Sequence, residues 1–259
     1  MSVGEMSLQQ AVKGSVILVT GASSGIGKEF AQLAATHGAK LALVARRKAE
    51  LEEVASCCNG ALPIVADVSK RAEVERAVAT TLEHYGSLDV LVNNVGRGIT
   101  RRATELTDED IDEMMRANVF TALYGMQSVL PHFQSVGRGH IINVSSKLGR
   151  NPSVLPRSAY NASKHFLNAL TANFREEIAQ THPEIAVSLV SPGLVYTDFG
   201  AHARHSTGDE SRQHPNGQEA DEVASVILQV VETRQPDVYT KTGYKAQVME
   251  YLDRLTADP

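Results

Sequence analysis

Tyr160 and Lys164 stand four residues apart in YNASK, a spacing that sets a phenol and an ammonium on one face of a helix. Such a pair can move protons. A phenol with a pKa near 10 is a poor acid or base at neutral pH, and lowering it by about three units takes roughly 4 kcal/mol. A cation at roughly 5 Å in an effective dielectric near 20 supplies about 3 kcal/mol of that. The pair alone arises easily by chance, so its weight comes from context: Ser146, fourteen positions upstream and just past a β-branched run, and Asn118 inside a long helical pattern.

A second chemistry sits near the start of the chain. TGASSGIG follows the apolar run SVILV, with Gly21, Gly25 and Gly27 around Ser23, Ser24 and Ile26. A strand feeding a glycine loop and then a helix leaves unpaired N–H groups and a positive dipole end, and a pyrophosphate fits there. The spacing departs from G-x-G-x-x-G: three residues separate the first two glycines, and position 30 is Phe30. At the end of the second apolar run, Ala45 stands where an acid would accept a ribose 2′-hydroxyl, and Arg46 and Arg47 follow with no acid until Glu50. A guanidinium pairs with phosphate through a planar, charge-assisted fork, so the expected cofactor is NADP(H). Beside a nicotinamide, Tyr160 and Lys164 make a proton donor for a carbonyl that receives hydride.

These groups need a frame, and the hydrophobic pattern provides one. Six short β-branched runs (residues 15–21, 40–45, 61–67, 88–94, 140–146 and 185–193) alternate with longer helical patterns. The runs are apolar nearly throughout, as in strands covered by helices on both faces. The expected fold is therefore α/β, a single Rossmann-type doubly wound parallel sheet flanked by helices. One domain spans residues 14–259 behind a flexible segment 1–13. Thr107 and Asp110 form a variant capping box that opens a long helix, DEDIDEMMRANVFTALYGMQSVL, which Pro131 is expected to stop. The polar stretch 199–218, with His202, His205 and His214, reads as a substrate lid, mobile without ligand because it has little apolar surface to bury. Its polar lining favours a small or polar carbonyl compound. The spacing of the histidines supports no zinc site, and no metal is expected.

Composition narrows the class. With 259 residues and 42% apolar content the chain can bury one large core, and a net charge of −5 with scattered Lys and Arg gives no footprint for nucleic acid. No apolar stretch approaches the roughly 20 residues that span a bilayer, and the first residues lack signal-peptide character, so no membrane partner and a cytoplasmic location are expected. Cys57 and Cys58 are adjacent, without the spacing of a redox or metal pair.

With these motifs assembled, the chain resembles the short-chain dehydrogenase/reductase family from about Gly14 to Tyr239. TGASSGIG matches the family's cofactor loop, Asp67 and Val68 its adenine contact, and NNVG, with Asn94 and Gly96, the region after the fourth strand. Asn118, Ser146, Tyr160 and Lys164 match its catalytic tetrad. Pro192, Gly193 and Thr197 match its Pro-Gly motif, which implies that they approach the nicotinamide carboxamide. Two departures stand out: NNVG replaces the commoner NNAG, and the interval from Ser146 to Tyr160 is one residue longer than usual. Ser145 competes for the serine role, although S-x-x-G selects Ser146. The resemblance implies that Tyr160 transfers the proton, that Lys164 tunes it and binds the nicotinamide ribose, that Ser146 bonds the substrate oxygen and that Asn118 holds a water. It also implies a homodimer or homotetramer acting on a small carbonyl or alcohol. Two alternatives remain: a 3-oxoacyl thioester reductase with a basic docking surface from Arg97, Arg101, Arg102 and Arg157, and a non-catalytic NADPH-binding sensor or scaffold.

Overall fold

The computed structural model of the protein describes residues 12–206, 208 and 214–256. The expected N-terminal segment lies outside these residues except for its last two, as do several positions in the expected lid. Seven parallel strands form one sheet in the order β3-β2-β1-β4-β5-β6-β7. They are β1 (Val16–Thr20), β2 (Lys40–Ala45), β3 (Leu62–Val65), β4 (Val90–Asn93), β5 (Gly139–Val144), β6 (Ile185–Ser191) and β7 (Asp237–Tyr239). This is a Rossmann-type doubly wound sheet. The order reverses between β1 and β4, which pair in register Ile17 with Val90 and Val19 with Val92. A crevice opens at the carboxyl ends of the strands at such a point, where no crossover helix fills the space.

The uniformly apolar strands are explained by what covers them. Ile17, Val19, Leu41 and Leu43 face one core with Phe30 of α1 (Gly25–Thr36), Leu51 of α2 (Lys48–Ser56) and Ile227 of α7 (Ala220–Thr233). Their neighbours Leu18, Val44 and Leu91 face the other with Val74 of α3 (Arg71–Tyr85) and with Met126 and Phe133 of α5 (Thr121–Val136). Each strand therefore buries both sets of alternating side chains. The remaining helices are α4 (Asp108–Met115), α6 (Ser158–Ala179) and α8 (Tyr244–Leu255).

Three local expectations need correction. The long helix after Thr107 is interrupted: the capping box forms, with Thr107 Oγ1 accepting from Asp110 N at 3.3 Å, but Arg116–Phe120 is a π-helical turn between α4 and α5. Pro131 does not stop α5. It lies inside the helix, which ends at Gly137, whose left-handed φ of 71° suits glycine; the proline forfeits one backbone bond, but the packing of Val129 and Phe133 carries the helix past it. The seventh strand, Asp237–Tyr239, is only three residues long at the sheet edge and carries too little pattern to be read from sequence.

Candidate active site

The glycines of the first loop are there for conformation and for clearance. Gly21 (φ 69°) and Gly25 (φ 55°) occupy the left-handed region, and the Gly21 N–H donates to Val44 O at 2.8 Å, tying the loop to β2. Gly27 has no room for a side chain, since a Cβ would collide with Gly21 O and lie 2.6 Å from Asn94 Nδ2. Helix α1 can thus butt directly against the end of β1. Its N-cap, Ser24, makes no side-chain cap bond and its first turn holds no acid, so the first amides face the crevice beneath a positive dipole end. Asn94 fixes the arrangement from β4: its backbone N–H donates to Thr20 Oγ1 at 3.0 Å and its Nδ2 to Thr20 O at 3.2 Å.

The crevice is a cleft of about 2060 Å³. It gathers the glycine loop, the end of β2, the turn after β3, the start of α6 and the chain after β6. Of the catalytic and cofactor-binding residues expected from sequence, all line it except Gly27, which packs behind the loop, and Asn118; the docking candidates Arg101 and Arg102 and the lid residue His205 lie outside it. Arg46 and Arg47 are exposed at the end of β2, and Arg47 Nη2 donates to Ser23 Oγ at 3.1 Å while its Nη1 lies 3.4 Å from Glu50. Asp67 accepts from the Ser69 N–H and hydroxyl at 3.1 and 2.8 Å. Burial pushes its pKa up, but the Ser69 bonds and the Arg46 and Lys70 charges outweigh this and hold it below the usual carboxylate range. Val68 is buried beside it. Thr197 approaches the glycine loop, its methyl 3.3 Å from where a Gly25 Cβ would stand. Pro192 O accepts from Lys147 N at 2.7 Å, and Gly193 gives way to the hydroxyl of Tyr244.

Tyr160, Lys164, Asn168 and Thr171 form a buried polar stripe along α6. The Ser146 side chain stands beside the Tyr160 hydroxyl and lowers its pKa, and Ser146 Oγ accepts from Leu148 N at 3.1 Å. Ser145 points elsewhere and donates to Asn168 Oδ1 at 2.5 Å, so the two serines divide their work. Lys164 Nζ lies 5.9 Å from the centre of the Tyr160 ring and donates to Val144 O at 2.9 Å. The protein's own atoms set this pair against the sequence expectation of a ready-tuned phenol. Desolvation lowers the Lys164 pKa to about 7 and raises that of Tyr160, against which the Ser146 side chain and the Arg157 charge work in the opposite direction. Arg157, one helical turn before Tyr160, is thus a cation that acts directly on the phenol. Its Nη1 is held by Ile99 O and Thr100 Oγ1, both at 3.3 Å.

Asn118 occupies the π-turn. Its two amide hydrogens go to Arg97 O at 2.9 Å and Ser163 Oγ at 3.0 Å, while its Oδ1 accepts from Arg97 N at 2.8 Å. The side chain therefore clamps the strand-end backbone beside Gly96. Phe199 stands edge-on to Tyr160 with ring centres 5.6 Å apart. Asn168 was not singled out at all; its signal was the recurrence of polar residues on the Tyr160 face of α6.

The family described as short chain dehydrogenase matches residues 15–208. The chain belongs to that family. An NADP-dependent 3-hydroxy acid dehydrogenase of Schizosaccharomyces pombe is 33% identical over 239 residues, covering 88% of this chain and 91% of the relative. Among solved structures, a short-chain dehydrogenase/reductase of Burkholderia phymatum in complex with NAD superposes with a TM-score of 0.85 at 25% identity, covering 96% of this chain and 98% of the other. The 3-ketoacyl-(acyl-carrier-protein) reductase of Brucella melitensis, complexed with NADH, gives a TM-score of 0.78 at 28% identity, covering 88% and 98%. This short-chain dehydrogenase is accordingly an oxidoreductase. Among the described residues, no helix is long and apolar enough to cross a membrane.

Proposed function

We propose that the protein is an NADP(H)-dependent oxidoreductase that passes a hydride between the nicotinamide and a carbonyl or secondary alcohol, with Tyr160 as proton donor and acceptor. The observation that carries this reading is the buried Tyr160 with Ser146 beside its hydroxyl, Lys164 one turn along the same helix and a glycine cradle across the cleft. The cradle fits a dinucleotide, because a side chain at Gly27 has no space and the amides opening α1 have no competing cap. Gly21, Ser24, Gly25 and Ile26 would hold the pyrophosphate. Arg46, Arg47 and Ser23 would hold a 2′-phosphate, and Asp67 and Val68 would meet the adenine. Asn94, Gly96 and Lys164 would face the nicotinamide ribose, and Pro192, Gly193 and Thr197 the carboxamide. The bound cofactor supplies the hydride.

The chain's own residues supply the rest. Ser146 orients the carbonyl oxygen toward the phenol, and Tyr160 donates its proton to that oxygen as negative charge develops there. The fixed charge of Arg157 favours the phenolate left behind, and Lys164, charged, adds to it. Asn118 keeps the Arg97 backbone beside Gly96 and so positions the floor of the site. This arrangement has no use in a non-catalytic sensor, which needs neither Tyr160 nor Ser146 beside it.

Thioester reduction on a carrier is the second reading, favoured by the structural likeness to the Brucella reductase. Two of its four expected docking arginines are neutralised internally, Arg97 by Glu113 and Arg101 by Asp110, which favours a free small molecule. A panel of carbonyls and alcohols, followed by nicotinamide absorbance with NADPH and NADH, tests the reading. Turnover preferring NADPH supports it; no turnover, or equal use of the two cofactors, contradicts it.

A further inference from the structure

Asp110 is a fully buried carboxylate that the chemistry above does not use. Its capping role in α4 engages one oxygen, Oδ2, with Thr107 N at 3.2 Å. Three further cationic or imidazole groups converge on it: Arg101 Nη1 at 2.8 Å, Arg204 Nε at 2.5 Å and His205 Nε2 at 2.8 Å. Burial alone raises its pKa, and the bonds from His205, Thr107, Arg101 and Arg204 together hold it well below the carboxylate range. One turn along α4, Glu113 pairs with both Arg204 and Arg97. A helix cap needs none of these partners.

Arg204 and His205 belong to the chain that leaves β6 and returns over the site. The return is stitched by backbone as well: Arg204 N donates to Gly98 O and Thr100 N to Arg204 O, both at 2.9 Å. His205 adopts a left-handed φ of 55°, a strained state for a residue with a Cβ, and its ring is held against Asp110 in that conformation. The first part of the expected lid, residues 199–206, is therefore anchored by charge, which a count of its apolar residues could not reveal. Five residues before Arg204, Phe199 lies against Tyr160 and beside Gly98, where its ring would stand 2.9 Å from a Cβ.

We propose that Asp110 is a positioning residue of the active site: through Arg204 and His205 it fixes the return of the chain after β6 and thereby sets Phe199 as a wall beside Tyr160, restricting the site to narrow carbonyl substrates. Removing one partner of a buried ion pair leaves an uncompensated charge, so the anchor holds as a unit or releases. The proposal rests on Tyr160 being the proton donor, and two arms separate its failure from the failure of that reading.

The first arm is kinetic, with ethyl acetoacetate as narrow and 1-phenyl-1,2-propanedione as broad substrate. Phe199→Ala should raise kcat/KM for the broad over the narrow ketone by about tenfold, the scale of pocket-shape discrimination. Arg204→Gln, which leaves the α4 cap intact, and Asp110→Asn should move the ratio the same way by about threefold or more. The Phe199→Ala, Arg204→Gln double variant should match Phe199→Ala alone, because Arg204 acts through Phe199. Effects that add, or a ratio unmoved by Arg204→Gln, overturn the proposal. The second arm is hydrogen exchange with NADPH present: segment 198–206 should be protected in the wild type and lose protection in Arg204→Gln, with β1 and β4 unchanged. Should the wild type reduce neither ketone, the functional reading falls and this arm decides alone, an unprotected wild-type segment or an unchanged variant overturning the anchor.

Discussion

Replacing Lys164 with Met should stabilise the cofactor-free protein at neutral pH while abolishing its activity. Lys164 is 3% exposed, its Nζ has the Val144 carbonyl at 2.9 Å as its hydrogen-bond partner among the described residues, and its pKa falls from 10.5 to about 7. At 1.36 kcal/mol for each tenfold change, holding the charged form in the folded chain costs about 5 kcal/mol. Below pH 7 the lysine is charged in both states and the folded state carries that whole cost. Between pH 7 and 10.5 the unfolded chain binds the proton and the folded chain does not, so wild-type stability rises with pH, and above 10.5 the cost has vanished. Methionine fills a similar volume without charge, but it leaves Val144 O without its donor, a loss of about 1–3 kcal/mol. Lys164→Met should therefore be about 2–4 kcal/mol more stable than wild type at pH 6, and less stable above pH 10.5, with the curves crossing near pH 9. Urea melts of both proteins from pH 6 to 11 measure this directly. A variant less stable than wild type at pH 6, or a difference that does not shrink with rising pH, would refute the claim that burial of this charge dominates the site.

Arg46→Asp should weaken NADPH binding by about 1.5–3 kcal/mol, on the order of tenfold to a hundredfold, and narrow the gap to NADH; equal losses for both cofactors in titrations would contradict a 2′-phosphate role. Arg157→Gln removes the fixed charge that favours the Tyr160 phenolate, so the pKa governing alcohol oxidation should move upward in the pH-rate profile, and an unchanged or lowered value would exclude that role. Gly27→Ala forces a methyl onto Gly21 O and Asn94, with an expected loss of about 1–3 kcal/mol in stability and weaker NADPH binding, both readable from thermal melts with and without cofactor.

The sheet was legible because the β1 and β4 runs are apolar on both faces, a pattern that only a doubly covered parallel sheet requires. The cofactor loop was legible because Gly21, Gly25 and Gly27 answer local demands on backbone and clearance, and local demands are written in local sequence. The π-turn at Asn118 was not, because it follows from the clamp on Arg97 and Ser163, partners 21 and 45 residues away. The division between Ser145 and Ser146 depends on Asn168, reached only once β5 and α6 are side by side. Charge pairing was the least legible: the polar stretch 199–218 gave no sign that Arg204 and His205 find a buried carboxylate on another helix. The ordinary pKa values of a phenol and an amine likewise gave no warning that burial drives them apart.

The most direct test of the central claim follows deuterium from nicotinamide C4 of labelled NADPH into the alcohol formed from a ketone, in wild type and in Tyr160→Phe. The account predicts that wild type delivers the label to the product carbon, and that Tyr160→Phe binds NADPH with little change in Kd but forms labelled alcohol on the order of a hundredfold or more slowly, the scale of a lost general acid. A Tyr160→Phe variant within tenfold of wild type, or a product without label, would contradict it.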